Sequence, residues 1–194
     1  MKRQVTVLLM IIVTACIGYL SIPSESEAQS SGATTYKIDF VHSSIYFRIM
    51  HKGLSYTYGR FNDFSGQVQI DESNHGNTSF SFSVKAASVD TNHKKRDEHL
   101  RKPDFLNARQ YPTIEFKSTG IHAHGNSLHV TGDLTLHGQT KSIEMHLNRL
   151  GQTSEAIGYA TEFMINRSDF GMKKMLGPVG DEVMLMISFE GTRG

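Results

Sequence analysis

The chain has 194 residues, with 20 Lys plus Arg against 19 Asp plus Glu and a formal charge of +1. This length suits one domain with a sizeable core, and near-neutrality excludes a general nucleic-acid binder and an acid-rich disordered chain. One Cys excludes an internal disulfide framework and a cysteine-rich metal site.

At the N-terminus, Lys2 and Arg3 precede an apolar run from Val5 to Ile22 and a polar stretch from Pro23 to Ser31. A basic start, an apolar stretch and a small-residue site make a secretory signal. Ser26-Glu27-Ala28 places cleavage between Ala28 and Gln29, with residues 29–34 as a linker and 35–191 as the domain. Two alternatives stay open. Val13-Thr14-Ala15-Cys16 resembles a lipobox, in which Cys16 is lipidated. An uncleaved anchor is the other, since the run approaches the ~20 residues that span a bilayer. All three readings put the domain outside the cytoplasm, periplasmic or secreted, or held to a membrane as a lipoprotein.

From Tyr36 onward the dominant period is two, the mark of half-buried strands. Strands are predicted near 35–41, 43–51, 64–71, 78–89, 113–121, 127–137, 141–150 and 156–167, with a ninth near 181–190. Alternation sends Phe80, Phe82, Val84, Leu128, Val130, Leu134 and Leu136 to one face. Turns such as Asn74-His75-Gly76-Asn77 and His124-Gly125-Asn126 favour antiparallel connections. Lys94–Arg101 is densely charged and predicts a short helix, with a second turn near Leu106–Gln110. The fold expected is all-β: an extended antiparallel barrel of about eight strands with one or two short helices. Closing a long meander removes its edges. A barrel of this size either fills with side chains or holds one ligand, and the alternation is the same in both cases.

An ordered series of motifs decides between these. It runs through Asp39-Phe40-Val41-His42-Ser43, Gly59-Arg60-Phe61, Phe64-Ser65-Gly66 and Ser88-Val89-Asp90-Thr91. It continues through Arg96-Asp97-Glu98-His99-Leu100, Tyr111-Pro112-Thr113-Ile114-Glu115-Phe116, Gly132-Asp133-Leu134-Thr135-Leu136-His137-Gly138-Gln139 and Asn166-Arg167-Ser168-Asp169-Phe170-Gly171. From about Tyr36 to Glu190 the chain resembles the YceI-like family of secreted bacterial lipid-binding proteins. The resemblance implies a lipocalin-like barrel whose interior holds a polyisoprenoid, a quinone-like lipid or another fatty amphiphile. It implies a non-catalytic binding, storage or transport role, no cofactor beyond that lipid, and frequent dimers. Contact with a membrane for lipid exchange fits the same role.

Strand parity then selects Phe47, Phe80, Phe82, Phe116, Leu134, Leu136, Phe163 and Ile165 as lining. Phe105, Phe170, Met172, Met175 and Leu176 stand in irregular segments that would cap it. Arg96, His99, Arg167 and His42 are candidates for the polar end of the ligand, because a guanidinium binds a phosphate or carbonyl well. The opposing reading makes the charged helix a solvated face and His42 a structural hydrogen-bonding residue. Ten histidines raise a metal- or haem-associated alternative. His129, His137 and His146 share outward parity with Asp133 and Glu144, and His122 and His124 share a face. None has the spacing of a known site, so no metal is assigned. An enzyme acting on a lipid is the remaining alternative, with neither a Gly-x-Ser-x-Gly elbow nor a dinucleotide fingerprint to support it.

Overall fold

The computed structural model describes residues 32–194. The predicted cleavage site at Ala28 and Gln29, the alternative lipidation at Cys16 and the first half of the predicted linker lie outside these residues.

Ten strands and one helix follow in order: β1 Thr34–His51, β2 Ser55–Phe61, β3 Phe64–Ile70, β4 Ser79–Lys85, β5 Val89–Asp90, α1 Lys94–Leu100, β6 Thr113–His124, β7 Ser127–Leu136, β8 Gln139–Gln152, β9 Ala156–Asn166 and β10 Val179–Arg193. The sheet order is β10-β9-β8-β7-β6-β4-β3-β1-β2-β5, and β10 also pairs with β1. That last pairing closes an eight-stranded antiparallel barrel and leaves β2 and β5 as a short extension beside β1.

Two predicted strands, 35–41 and 43–51, are one. β1 runs through with a bulge between Asp39 and Ser44. The bulge lets it pair with β3 over Thr34–Lys37 and with β2 over Ile45–His51 while keeping β10 throughout. Asp39 fixes it locally, accepting from the Val41 N–H at 2.8 Å and from His42 Nδ1 at 2.7 Å. The strand β2 is an addition to the sequence expectation. Its turn is Lys52-Gly53, with φ of 52° and 66° and a Leu54 N–H donating to the His51 carbonyl. Two successive residues at positive φ make this a tight turn with Lys where Asn or Gly is usual, so the sequence signal is weak. Lys94–Leu100 is the helix expected. The residue before it, His93, caps it by accepting the Arg96 N–H at its ring Nδ1. Leu106–Gln110 forms the hydrogen-bonded turns expected there, with Asn107 at a φ of 47°.

The barrel is solid at one end. Tyr36, Val68, Ile70, Phe80, Leu128, Val130, Leu147, Ile157, Tyr159 and Phe189 interlock there, all nearly inaccessible. Phe80, Tyr159 and Phe189 meet edge-on or tilted at ring-centroid distances of 6.0, 6.3 and 5.7 Å, geometries that favour aromatic pairs. The buried Tyr159 hydroxyl is satisfied by Arg149 Nε at 3.2 Å, and Arg149 in turn pairs with Glu72 at 2.8 Å. Outside this layer, the Asp71 carboxylate accepts from Ser73, Asn74 and Asn77 and organises the β3–β4 connection.

Candidate functional site

At the other end the same alternation encloses a cavity of about 420 Å³, within the roughly 300–1,000 Å³ of small-molecule sites. It starts against Phe80, Leu147, Thr161 and Phe189 of the solid end. It runs to Met50, His51, Arg96, Met175 and Val179. His51, Arg96 and Met175 are exposed, so the cavity opens there. The mouth is the place where the β1–β2 turn, α1 and the segment 172–179 converge. His51 pairs with Val179, and the Lys52 N–H donates to the Pro178 carbonyl at 2.8 Å.

Glycines explain why this end is hollow. A Cβ on Gly59 would lie 2.3 Å from the Phe47 ring, and one on Gly132 would lie 2.4 Å from the Phe116 ring. Each glycine lets the phenylalanine of the neighbouring strand lie back against the wall instead of filling the centre. The inward Phe47, Phe82, Phe116, Phe163 and Leu185 therefore keep partial exposure, although their strand parity is that of core residues.

All eight residues chosen by parity line the cavity: Phe47, Phe80, Phe82, Phe116, Leu134, Leu136, Phe163 and Ile165. Of the irregular segments, Phe105, Met172 and Met175 also reach it. Two do not. Phe170 is buried behind the wall with Leu134, Leu136, Ile165 and Met172, and Leu176 points outward beyond the mouth. Sequence reasoning missed the inward row of β10, Val183, Leu185, Ile187 and Phe189, and Ile143, Met145 and Leu147 of β8. Their period of two is as regular as the rows that were chosen.

The polar candidates divide further. Arg96 and His99 line the mouth. Arg96 donates from Nε to the Thr91 hydroxyl and from Nη2 to the Thr91 carbonyl, both at 2.7 Å. The Thr91 hydroxyl donates to Asp97, a carboxylate buried under α1. His99 packs edge-on to Phe105 and stands 3.6 Å from Asp104. Arg167 also borders the cavity, but its guanidinium is already occupied. It donates to the carbonyls of Gly180, Met172, Lys174 and Val179 at 2.6–3.1 Å. Burial pulls its pKa down, and the nearby Asp181 opposes this. Arg167 is thus a staple for the segment over the mouth, not a group held ready for a ligand. His42 lies at the β1 bulge, outside the cavity lining. Its hydrogen bond to Asp39 raises the imidazole pKa and lowers that of the carboxyl.

The histidine set is scattered. His129 and His146 stack at 4.8 Å, with His129 3.5 Å from Glu144. His137 turns away to bond the Phe170 carbonyl. Among the described residues, the three metal-type ligands within 4.8 Å of one another are Asp39, His42 and Glu190, and there His42 Nδ1 already serves Asp39.

Residues 36–191 match the family model of the YceI-like domain. The chain belongs to the YceI-like family. A UPF0312 protein of Pseudomonas paraeruginosa is 44% identical over 168 residues, covering 83% of this chain and 88% of the relative. Among solved structures, BcnA of Burkholderia cenocepacia superposes with a TM-score of 0.74 at 25% identity, over 79% of this chain and 98% of that one. A polyisoprenoid binding domain from Saccharophagus degradans gives a TM-score of 0.68 at 16% identity, over 83% and 99%. At that identity the latter likeness speaks to the fold. These YceI-like barrels share the closed antiparallel architecture described above.

Proposed function

We propose that this YceI-like barrel binds one long-chain isoprenoid or similar amphiphile in its cavity, as a carrier or store and without catalysis, outside the cytoplasm. The observation that carries the reading is the cavity itself: a space walled by Phe, Leu, Ile and Met, with Arg96, His51 and His99 at its mouth. Each CH2 withdrawn from water into such a wall contributes roughly 0.8 kcal/mol, so a chain is held without directional contacts. The polyisoprenoid binding named for the Saccharophagus degradans relative supports the same ligand class.

The mouth suits exchange with a membrane. Leu54 is 84% exposed at the tip of the β1–β2 turn, with Met175 and Leu176 each 42% exposed on the adjacent segment. Lys52, Lys173 and Lys174 flank these apolar tips. Apolar tips among lysines fit an anionic bilayer surface. The export signal at the N-terminus belongs to the same reading, since it would deliver the barrel to that compartment.

Native mass spectrometry of the protein purified from its own host tests the proposal. A co-purifying lipid of a few hundred daltons, released on denaturation, is the expected result. Lipid-free protein that also takes up no polyprenyl lipid from vesicles would overturn it.

A further inference from the structure

One polar atom of the cavity is out of place. Thr161 faces inward from β9, between Tyr159 and Phe163 in the inward row, and pairs across the ladder with Ile187. It is 3% exposed, and its Oγ1 has no hydrogen-bond partner among the described residues. The other inward positions of β9 are Ile157, Tyr159, Phe163 and Ile165, and the Tyr159 hydroxyl is satisfied by Arg149. Valine has the same shape as threonine, so wall packing alone does not call for a hydroxyl here. Leaving it unpaired is costly in an apolar site. The other polar lining groups contrast with it. Arg96, His51 and His99 stand at the mouth, Thr57 pairs with Ile49 near it, Glu115 is solvent-exposed, and Thr91 and Arg167 are bonded within the protein.

We infer that Thr161 hydrogen-bonds an uncharged oxygen on the buried end of the lipid, so that the lipid enters head first with its chain trailing to the mouth. This rests on the lipid-binding reading above and adds to it the chemistry of the head. A hydroxyl donates and accepts, so a head bearing an alcohol or a carbonyl satisfies it equally. A phosphate does not fit. Leu147, Ile187 and Phe189 surround this depth of the cavity, and among the described residues no cation lines it to compensate a buried charge.

The test uses matched lipids and the mature protein. Geranylgeraniol, the corresponding hydrocarbon without the hydroxyl, and geranylgeranyl phosphate each compete against an uncharged naphthylamine fluorophore bound in the cavity. Wild type should bind the alcohol about five- to tenfold more tightly than the hydrocarbon, the worth of one buried hydrogen bond, and more tightly than the phosphate. Thr161→Val should abolish that preference, leave hydrocarbon affinity unchanged and keep or raise the melting temperature. Thr161→Ser should restore the preference, and Arg96→Ala should not affect it. A preference that survives in Thr161→Val overturns the assignment and leaves Thr161 a hydroxyl served by water. Loss of the preference in Arg96→Ala, or tighter binding of the phosphate, overturns it in favour of a head held at the mouth. If none of the three lipids displaces the fluorophore, the lipid-binding reading fails, and the role of Thr161 fails with it.

Discussion

The two ends of this barrel are built from the same alternating strands and differ in what the strands leave room for. In the solid end, Val68, Val130, Ile157 and Tyr159 are essentially inaccessible and the centre is filled. In the hollow end, Gly59 and Gly132 draw Phe47 and Phe116 back to the wall, and the centre stays open. A barrel of eight strands is wide enough for either outcome. The choice is made by a few glycines beside large rings and by the elements gathered at the mouth.

The largest way to expose this difference is to delete the same atoms from both ends. Leu128→Ala in the solid end should cost about 2–5 kcal/mol, because its neighbours cannot close the gap. Leu185→Ala borders an existing cavity and should cost roughly 1–2 kcal/mol, since it removes less fully buried surface. Urea unfolding of the two variants measures both. Equal losses would mean that the hollow end is as tightly packed as the solid one.

Arg167 supplies the next test, at the mouth. Its donors hold the carbonyls of Met172, Lys174, Val179 and Gly180 in one place. Arg167→Ala should destabilise the protein by about 2–4 kcal/mol, as charge-assisted hydrogen bonds are lost from a buried site. Arg167→Lys should not rescue it, because one ammonium cannot span four carbonyls. Hydrogen exchange should show the loosening confined to 168–182 and the solid end unchanged. Uniform loosening over both ends would contradict the role of a local staple.

How much of this was readable beforehand follows the same division. The barrel, its strand order in the chain and the inward rows of β4, β7 and β9 follow from a period of two. The lumen residues Phe80, Phe116 and Phe163 therefore fell on the right face. Alternation says only which way a side chain points, so it gave Phe80 and Phe82 equal standing, although Phe80 is nearly inaccessible at the closed end of the cavity and Phe82 keeps partial exposure along its wall. The bulge at Asp39 was legible as a gap between two strands, but not as a continuation. The β2 hairpin was hidden by Lys52 at a left-handed position. Arg167 is the instructive case. A guanidinium in an apolar protein suggests an anion, and the sequence carries no sign that four carbonyls from the segment just after it will take its place.

A smaller effect, and a sharper one, comes from refilling the hollow end. On Gly59 the atoms that a new Cβ would meet belong to the side chains of Phe47 and Thr91, which can move. Gly59→Ala should therefore turn the Phe47 ring into the lumen at a stability cost of about 1–3 kcal/mol. Uptake of a C20 isoprenoid should weaken roughly tenfold, the equivalent of about 1.4 kcal/mol. Fluorophore competition reads the uptake. Unchanged capacity would show that the glycine does not set the width of the cavity.

The smallest effect separates the two ends by acidity. At the solid end the Asp71 carboxyl is held at about 2, against an ordinary 3.8, chiefly by the donors of Ser73, Asn77 and Asn74. At the hollow end Asp181 is also lowered, chiefly by the Ser168 hydroxyl at 2.6 Å, with help from its N–H at 2.9 Å. A carboxyl whose folded pKa is depressed stabilises the fold above its unfolded pKa and loses that contribution as the pH falls through the folded value. The Asp71 contribution should thus be complete above about pH 4 and fade as the pH approaches 2. Asp71→Asn should be less stable than wild type at pH 7, with the gap narrowing over that interval. Asp181→Asn should show the same sign, with its loosening centred on Ser168 and the mouth. Urea midpoints between pH 7 and 2 measure both slopes. A gap that stays constant with pH would show that these donors do not favour the ionised carboxylates, and that the connections at both ends are held by shape rather than charge.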